Sequence, residues 1–566
     1  MHRKQSPAEI NMTDLNTRTR DSGALDSGVL HDSNEMLLYS RVKSNAQHGA
    51  LKGFARKEHV WNIFNTSGRT RGRSRPGRVI IPILLAALVI TAFFSNCKGN
   101  GDNNELALLT LLAASGSESC DNASSTVHGD SASPAGCVGI AYFEGMADDG
   151  SSDYELWRTD GTDEGTYPVK DINPSGSSYP QKFVELNGNV IFVARESSSN
   201  PELWKTDGTE SGTTLVKEIH PTGNPGINYM TVLNDRIYFA ADDGSNGKEL
   251  WVTDGTEAGT GMLIDINPGS GHSSPSLLTV SGNRLYFKAN DGTNGAELWI
   301  SDGTASGTSM VKDINTSGNA VIDEIIPFNG KVYLNADDGT NGNELWSSDG
   351  TTSGTSMVKD INPSGDAYPL KFYVFNDLLL FRATDSDGVE LWISDGTPSD
   401  TSKLKDIYSG SSGSYPYYFV SLGERVFFTA KDSTHQTELW VTDGTASETN
   451  IVKDIKAGAS GSDTAYLTNA NGTIFFYATD GSSGYELWRT DGTETGTEMV
   501  VDLAAGANSS DPMPLYYNNE NIEEFTHAGN GIVYFWADAE ADGTYELYRS
   551  DGTPSGTSQI GTVIWE

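Results

Sequence analysis

From about residue 140 onward, short apolar runs alternate with clusters of Asp, Asn, Gly, Ser and Thr. Phe183–Leu186 is followed by an Asn-Gly pair and then by Val190–Ala194. The same arrangement joins Thr231–Leu233 to Arg236–Ala241, and Phe419–Leu422 to Arg425–Ala430. Asn-Gly, Asn-Asp and Gly-Asn between apolar runs are tight-hairpin signals, because these residues accept the positive φ that such turns need. A second polar loop, for example Asp242–Lys248, leads into a run containing Glu-Leu-Trp. An Asp-Gly-Thr turn follows, and a Val-Lys-Asp-Ile run ends the unit. The pattern predicts four short antiparallel strands in about 47 residues, the size of one propeller blade.

The unit recurs. Glu-Leu-Trp starts at Glu155, Glu202, Glu249, Glu297, Glu344, Glu390, Glu438 and Glu486, and a ninth copy reads Glu546-Leu547-Tyr548. The expected fold is all-β: a β-propeller of nine four-stranded units spanning 137–566, closed as a ring of eight or nine blades. A lone four-stranded sheet has two faces to cover, and stacking neighbours covers both. The aromatic of the triplet is the expected wedge: Trp157, Trp204, Trp251, Trp299, Trp346, Trp392, Trp440, Trp488 and Tyr548. Burying one Trp removes ~150–250 Å² from water, an upper-bound gain of about 4–6 kcal/mol per copy. The first unit lacks a leading strand, and the chain's end, Ile564-Trp565-Glu566, is the segment expected to supply it. One long insertion falls within 504–530.

These motifs, Glu-Leu-Trp followed by Asp-Gly-Thr, closely resemble the bacterial ELWxxDGT repeat family over about residues 140–560. The resemblance implies an exported or surface protein with propeller-like folding and no agreed activity. Asp400 and Glu448 replace the second glycine in two copies, and Tyr548 replaces Trp in the last, which marks tolerant loops and an atypical terminal unit.

The N-terminal part reads differently. Residues 1–78 are polar, without apolar periodicity, and read as a disordered extension ending in a basic cluster, Arg69 to Arg78. Val79–Phe94 carries no charge and is short for a membrane span. With Ser95, Asn96 and Cys97 it resembles a relaxed lipoprotein signal, so 79–97 is the expected signal segment and Cys97 the lipid-bearing residue. Multiple acyl chains would anchor it stably. A signal peptide does not ordinarily follow 78 residues, so translation is expected to start downstream of Met1, near Val60 or Val79. Residues 98–136 form a Gly-, Asn-, Ser- and Ala-rich tether, and Cys120 and Cys137 are expected to pair as a disulfide in an oxidising compartment.

Charge sharpens the picture. Residues 1–96 hold 14 Lys+Arg and 7 Asp+Glu; the remaining 24 basic and 69 acidic residues leave a net charge of −45 on the rest of the chain. Such a body repels nucleic acid and anionic surfaces. The candidate metal ligands are the repeated Asp, Asn and Glu around the second loop: Asp243, Asn246 and Glu249; Asp291, Asn294 and Glu297; Asp338, Asn341 and Glu344. They are hard oxygen donors suited to calcium, but Asp, Asn and Gly at these positions also make ordinary turns. The triplet Glu is alternatively expected to pair with the Lys of Val-Lys-Asp-Ile across strands. The histidines His128, His220, His272, His435 and His527 are single and non-equivalent, and no catalytic motif appears. The reading is an envelope-anchored lipoprotein, a monomeric binding or adhesion scaffold whose ligand is a protein or glycan. The alternatives are a propeller enzyme acting on glycans or another envelope or extracellular substrate, and a calcium-stabilised structural envelope protein.

Overall fold

The computed structural model describes residues 139–147, 152–197, 200–515, 524–527 and 531–565. The expected extension, signal segment and tether, with Cys97, Cys120 and Cys137, lie outside the described residues. Within them the chain is all-β: seven four-stranded antiparallel sheets, one seven-stranded sheet, and a single 3-10 turn at Pro554–Gly556.

Units are numbered here by their Glu-Leu-Trp strand. Unit 3 shows the local logic. Its strands are Asn228–Leu233, Arg236–Asp242, Lys248–Thr253 and Gly261–Ile264, paired in sequence order. Asn234 and Asp235 take φ of 51° and 58°, the geometry of a hairpin turn twisted to match its strands. The second strand puts Phe239 opposite Trp251. The third strand, Lys248–Thr253, is buried on both faces, which fits its near-continuous apolar run.

Each triplet aromatic packs against the sheet before it. Trp346 joins Leu298, Ile300, Val311 and Ile314 of unit 4 in one core cluster. Trp392 does the same against unit 5 and Trp440 against unit 6. The eight repeat tryptophans are 4–8% exposed, and Tyr548 is partly buried against the core shared by units 8 and 9. The wedge role expected of them is what the packing shows.

A hydroxyl pair fixes the third-to-fourth-strand turn in every unit. Thr253 and Thr260 hydroxyls lie 2.6 Å apart, and Gly255 N–H donates to Thr253 Oγ1. The Asp254 carboxylate caps Thr256, accepting from both its N–H and its hydroxyl. A Cβ built on Gly259 would meet that carboxylate at 2.1 Å, so a side chain there has to displace it. Asp400 and Glu448 at that position keep the same N–H bond to the turn Thr, lengthened to 3.3 and 3.4 Å.

The two ends of the repeat array meet in the seven-stranded sheet. Ser558–Trp565 lies between Tyr545–Ser550 of unit 9 and Ala141–Ala147 of unit 1, with Ala147 opposite Val563 and Met146 opposite Ile564. The chain's end therefore pairs with the unit that lacks a leading strand. Arg549 Nη1 also donates to Gly161 O of unit 1 at 2.8 Å. Interior neighbours use the same tie: Arg425 Nη1 donates to Gly492 O at 3.1 Å, and Tyr238 OH to Gly303 O at 3.3 Å.

Candidate functional site

The second strand carries one recurrent frame: Phe or Leu, one residue, then Ala or Gly. The framed residue is Glu144, Val193, Ala240, Lys288, Asn335, Arg382, Thr429, Tyr477 or Trp536, different in all nine units. The flanking Phe and Ala pack toward the preceding sheet, as Phe381 and Ala383 do with unit 5. Strand alternation turns the framed residue toward the following unit. Lys288 donates to Ile322 O of unit 5 at 2.6 Å, and the Arg382 guanidinium lies 5.6 Å from the Tyr417 ring centroid of unit 7.

Beside these residues runs the first strand of each unit. In units 2, 3, 4, 6, 7 and 8 it is bulged, and its second residue has a left-handed φ: Lys182, Tyr229, Leu277, Lys371, Tyr418 and Tyr466, at 52–59°. A bulge re-aims a side chain, and here it re-aims it along the row of first strands. Lys182 Nζ contacts Ile227 O and Asn228 Oδ1 of unit 3. Glu324 accepts from Lys371 N and Phe372 N, and Lys371 Nζ donates to Tyr417 OH at 2.8 Å. Tyr418 meets Tyr466 at 5.8 Å, and Tyr466 meets Phe525 at 5.9 Å. The result is a girdle of side chains passed from unit to unit.

Several ionisable groups in or beside this girdle are perturbed, which marks it as the candidate site. Burial pushes Glu144 up to about 7, opposed by Arg195. Burial lowers Lys288 and raises Asp511. Tyr477 is raised, first by burial and then by Asp511. Tyr485 is pushed up to about 12, first by its hydrogen bond to Asp463, 2.7 Å away. Tyr477 and Tyr485 stack at 4.7 Å with planes 8° apart.

The residues singled out from sequence fall elsewhere. Asp243 Oδ1 accepts from Ser245 N and Asn246 N, and its Oδ2 accepts from Asn246 Nδ2. Asp291 with Asn294, and Asp338 with Asn341, repeat this turn. Glu249, Glu297 and Glu344 are not part of it. Each is buried in the sheet, where Glu249 accepts from Ile266 N at 2.8 Å, Ser273 N at 2.9 Å and Ser273 Oγ at 2.6 Å. Glu297 and Glu344 likewise accept from Ile314 N and Ile361 N. The structure thus brings the Asp and Asn of each set together as a turn and places the Glu apart. Among the described residues no group of three His, Cys, Asp or Glu is placed to hold a metal ion.

The expected Glu–Lys pair is corrected as well. The Lys of Val-Lys-Asp-Ile reaches forward into the next unit: Lys170 Nζ donates to Thr213 O at 2.7 Å, and Lys312 Nζ donates to Thr355 O at 2.9 Å while lying over the Trp346 ring. The Glu instead ties its own strand to the crossover that leads to the next sheet. Three of the described histidines bond loop groups: His220 Nδ1 accepts from Gly223 N, His272 Nδ1 accepts from Lys248 N, and His435 Nδ1 bonds Asp432 in the place that Asn246 takes against Asp243, while His527 lies in the short strand Thr526–His527. The girdle was missed in the sequence, although nine different residues inside one fixed frame was the signal for it.

No protein-family model and no curated protein matches the chain. Among solved structures, the chain is similar at 11% identity to a prolyl endopeptidase from a study of two such enzymes and their inter-domain dynamics, over 56% of this chain and 49% of that one, TM-score 0.35. It is similar at 14% identity to puromycin hydrolase, both as a serine-to-alanine mutant complexed with PGG and unmutated, over 63% of this chain and 60% of that one, with TM-scores of 0.33 and 0.31. The chain spans about half to three-fifths of the length of these proteins.

Proposed function

We propose that the nine units close into a single nine-bladed propeller and that this body is a binding scaffold held at the cell envelope through a lipid on Cys97. Closure is supported by the seam. Ser558–Trp565 pairs with both end units, and Arg549 and Gly161 repeat the tie found between interior neighbours. The binding role is carried by one observation. The packing positions keep to Phe or Leu, Ala or Gly, and Trp or Tyr through nine units while the framed residue differs every time. Of the framed residues, Glu144, Lys288, Arg382 and Tyr477 are half-buried and offer a composite edge of the kind by which repeat proteins recognise partners, while Val193, Ala240, Asn335, Thr429 and Trp536 are buried and take no part in it. The acidic body favours neutral or cationic partners over polyanions.

Two measurements test this reading. Radiolabelled palmitate is incorporated by the wild-type protein and not by Cys97→Ala, whose body moves to the soluble fraction; unchanged membrane retention and labelling would remove the anchor. A ligand isolated by screening the body is lost on Arg382→Ala with the melting curve kept. Full retention of binding by that variant would take the girdle out of the site.

A further inference from the structure

The crossover from each sheet to the next ends in a residue with left-handed φ, just before the first strand. Along units 2 to 9 these residues are Tyr179, Gly226, Ser274, Val321, Tyr368, Tyr415, Asp463 and Asp511, with φ between 43° and 55°. Glycine suits such a backbone best, and a bulky side chain there is an outlier. Three of the eight are nonetheless tyrosines, each followed by proline. They are also among the most exposed large side chains of the described residues, at 38%, 45% and 50% for Tyr179, Tyr368 and Tyr415. Neither backbone preference nor full burial accounts for a tyrosine here.

Each ring is held in place. The Tyr179, Tyr368 and Tyr415 N–H groups donate to Tyr154 O, Asn343 O and Val389 O of the preceding unit at 3.1–3.3 Å. Arg195 packs on Tyr179 at 4.2 Å, and Lys431 on Tyr415 at 4.6 Å. Tyr154 stacks on Tyr179 at 5.7 Å, and Lys431 Nζ also lies 5.8 Å from the Tyr408 ring centroid. Burial, and after it the nearby Asp366, raises the Tyr368 hydroxyl above its ordinary value. The crossovers leave every sheet at the same end, so the three rings share one face, with two of them on adjacent units.

We propose that this face binds a neutral polysaccharide, with Tyr368 and Tyr415 as stacking platforms for sugar rings. The inference rests on the scaffold reading above and names its ligand class. A half-exposed flat ring suits a pyranose, which offers axial C–H groups to an open ring face and hydroxyls to neighbouring polar groups, and Lys431 covers only one face of Tyr415. A protein partner would call for a contiguous apolar patch with a sealed centre, whereas these rings stand singly, one per unit, among polar groups. The net charge of −45 beyond residue 96 argues against acidic glycans. Platforms one unit apart suit a polymer of repeated sugars, because binding at one raises the effective concentration at the next.

The test is affinity electrophoresis and pull-down of the full chain on four neutral polysaccharides (β-1,4-glucan, chitin, starch and galactomannan), with alginate as the anionic control. At least one neutral polymer is expected to retain the protein, and alginate is not. Tyr368→Ala with Tyr415→Ala should weaken that binding at least tenfold, the Phe variants should keep most of it, and the melting temperature should stay near wild type. Absence of retention on every neutral polymer, or equal binding by the double Ala variant, would overturn the proposal. Capture of a protein ligand that depends on Arg382, with no glycan bound, would sink this inference and leave the scaffold reading standing.

Discussion

At the scale of single residues, two side chains define the unit. Trp346 is 5% exposed and sits in a cluster drawn from two units, so its loss opens a cavity between sheets. Trp346→Ala should cost about 3–5 kcal/mol in denaturant unfolding. Trp346→Tyr should cost clearly less, since Tyr548 fills the same place in unit 9. The buried glutamates give a pH dependence. Burial raises Glu155, Glu202, Glu297 and Glu344 to about 7, against hydrogen bonds that favour the carboxylate. A carboxyl whose folded pKa lies above its unfolded value binds more protons when folded. Its contribution is complete below about 4.5 and is lost as pH rises through about 7. The melting temperature should therefore be higher at pH 5.5 than at pH 8; a flat or reversed profile would mean that these carboxylates stay ionised in the folded state.

At the scale of elements, the turn between third and fourth strands is set by hydroxyls. Ser348 Oγ accepts from Gly350 N and pairs with Thr355 Oγ1 at 2.7 Å, all at a buried position. Ser348→Ala leaves that N–H without its acceptor and should cost about 1–3 kcal/mol. Gly354→Ala should cost little despite the 2.1 Å approach of Asp349, because Asp400 and Glu448 already occupy the equivalent place. Thermal melts of both variants separate a hydroxyl-built turn from a glycine-built one.

Much at this scale was legible in the sequence. Asn187-Gly188 and Asn234-Asp235 read as hairpin turns because few other pairs accept those angles, and the spaced tryptophans read as wedges because apolar area sets their place. The Glu of the triplet did not read correctly. Its partners are backbone N–H groups 17 and 24 residues on, as with Ile266 and Ser273 for Glu249, and backbone donors leave no mark on composition. The Asp243 and Asn246 pair read both as a turn and as candidate metal ligands, because a turn and a calcium loop use the same residue types. The girdle escaped notice because attention to repeats selects what is constant, and the residues there are the ones that vary.

At the scale of the whole molecule, the array depends on its ends. A stack of sheets leaves one uncovered face at each end unless the two are joined, and in the proposed ring the pairing of Ala147 with Val563 would join them. Gly145 sits so close to Val563 that a Cβ there would meet its side chain at 2.5 Å, so Gly145→Val should loosen the seam and lower the melting temperature. The lowering should match that of a chain ending after Gly561, which lacks the same contact.

The seam also offers the most direct measurement. In a chain whose native cysteines are replaced by serine, Ala147→Cys and Val563→Cys place two thiols at directly paired positions of neighbouring strands. Mild oxidation of the folded monomer should form an intramolecular disulfide in high yield, detected as a mass loss of two hydrogens and a mobility shift, with none formed in denaturant beforehand. An unlinked monomer, or cross-links only between molecules, would contradict a body closed by its own C-terminal strand.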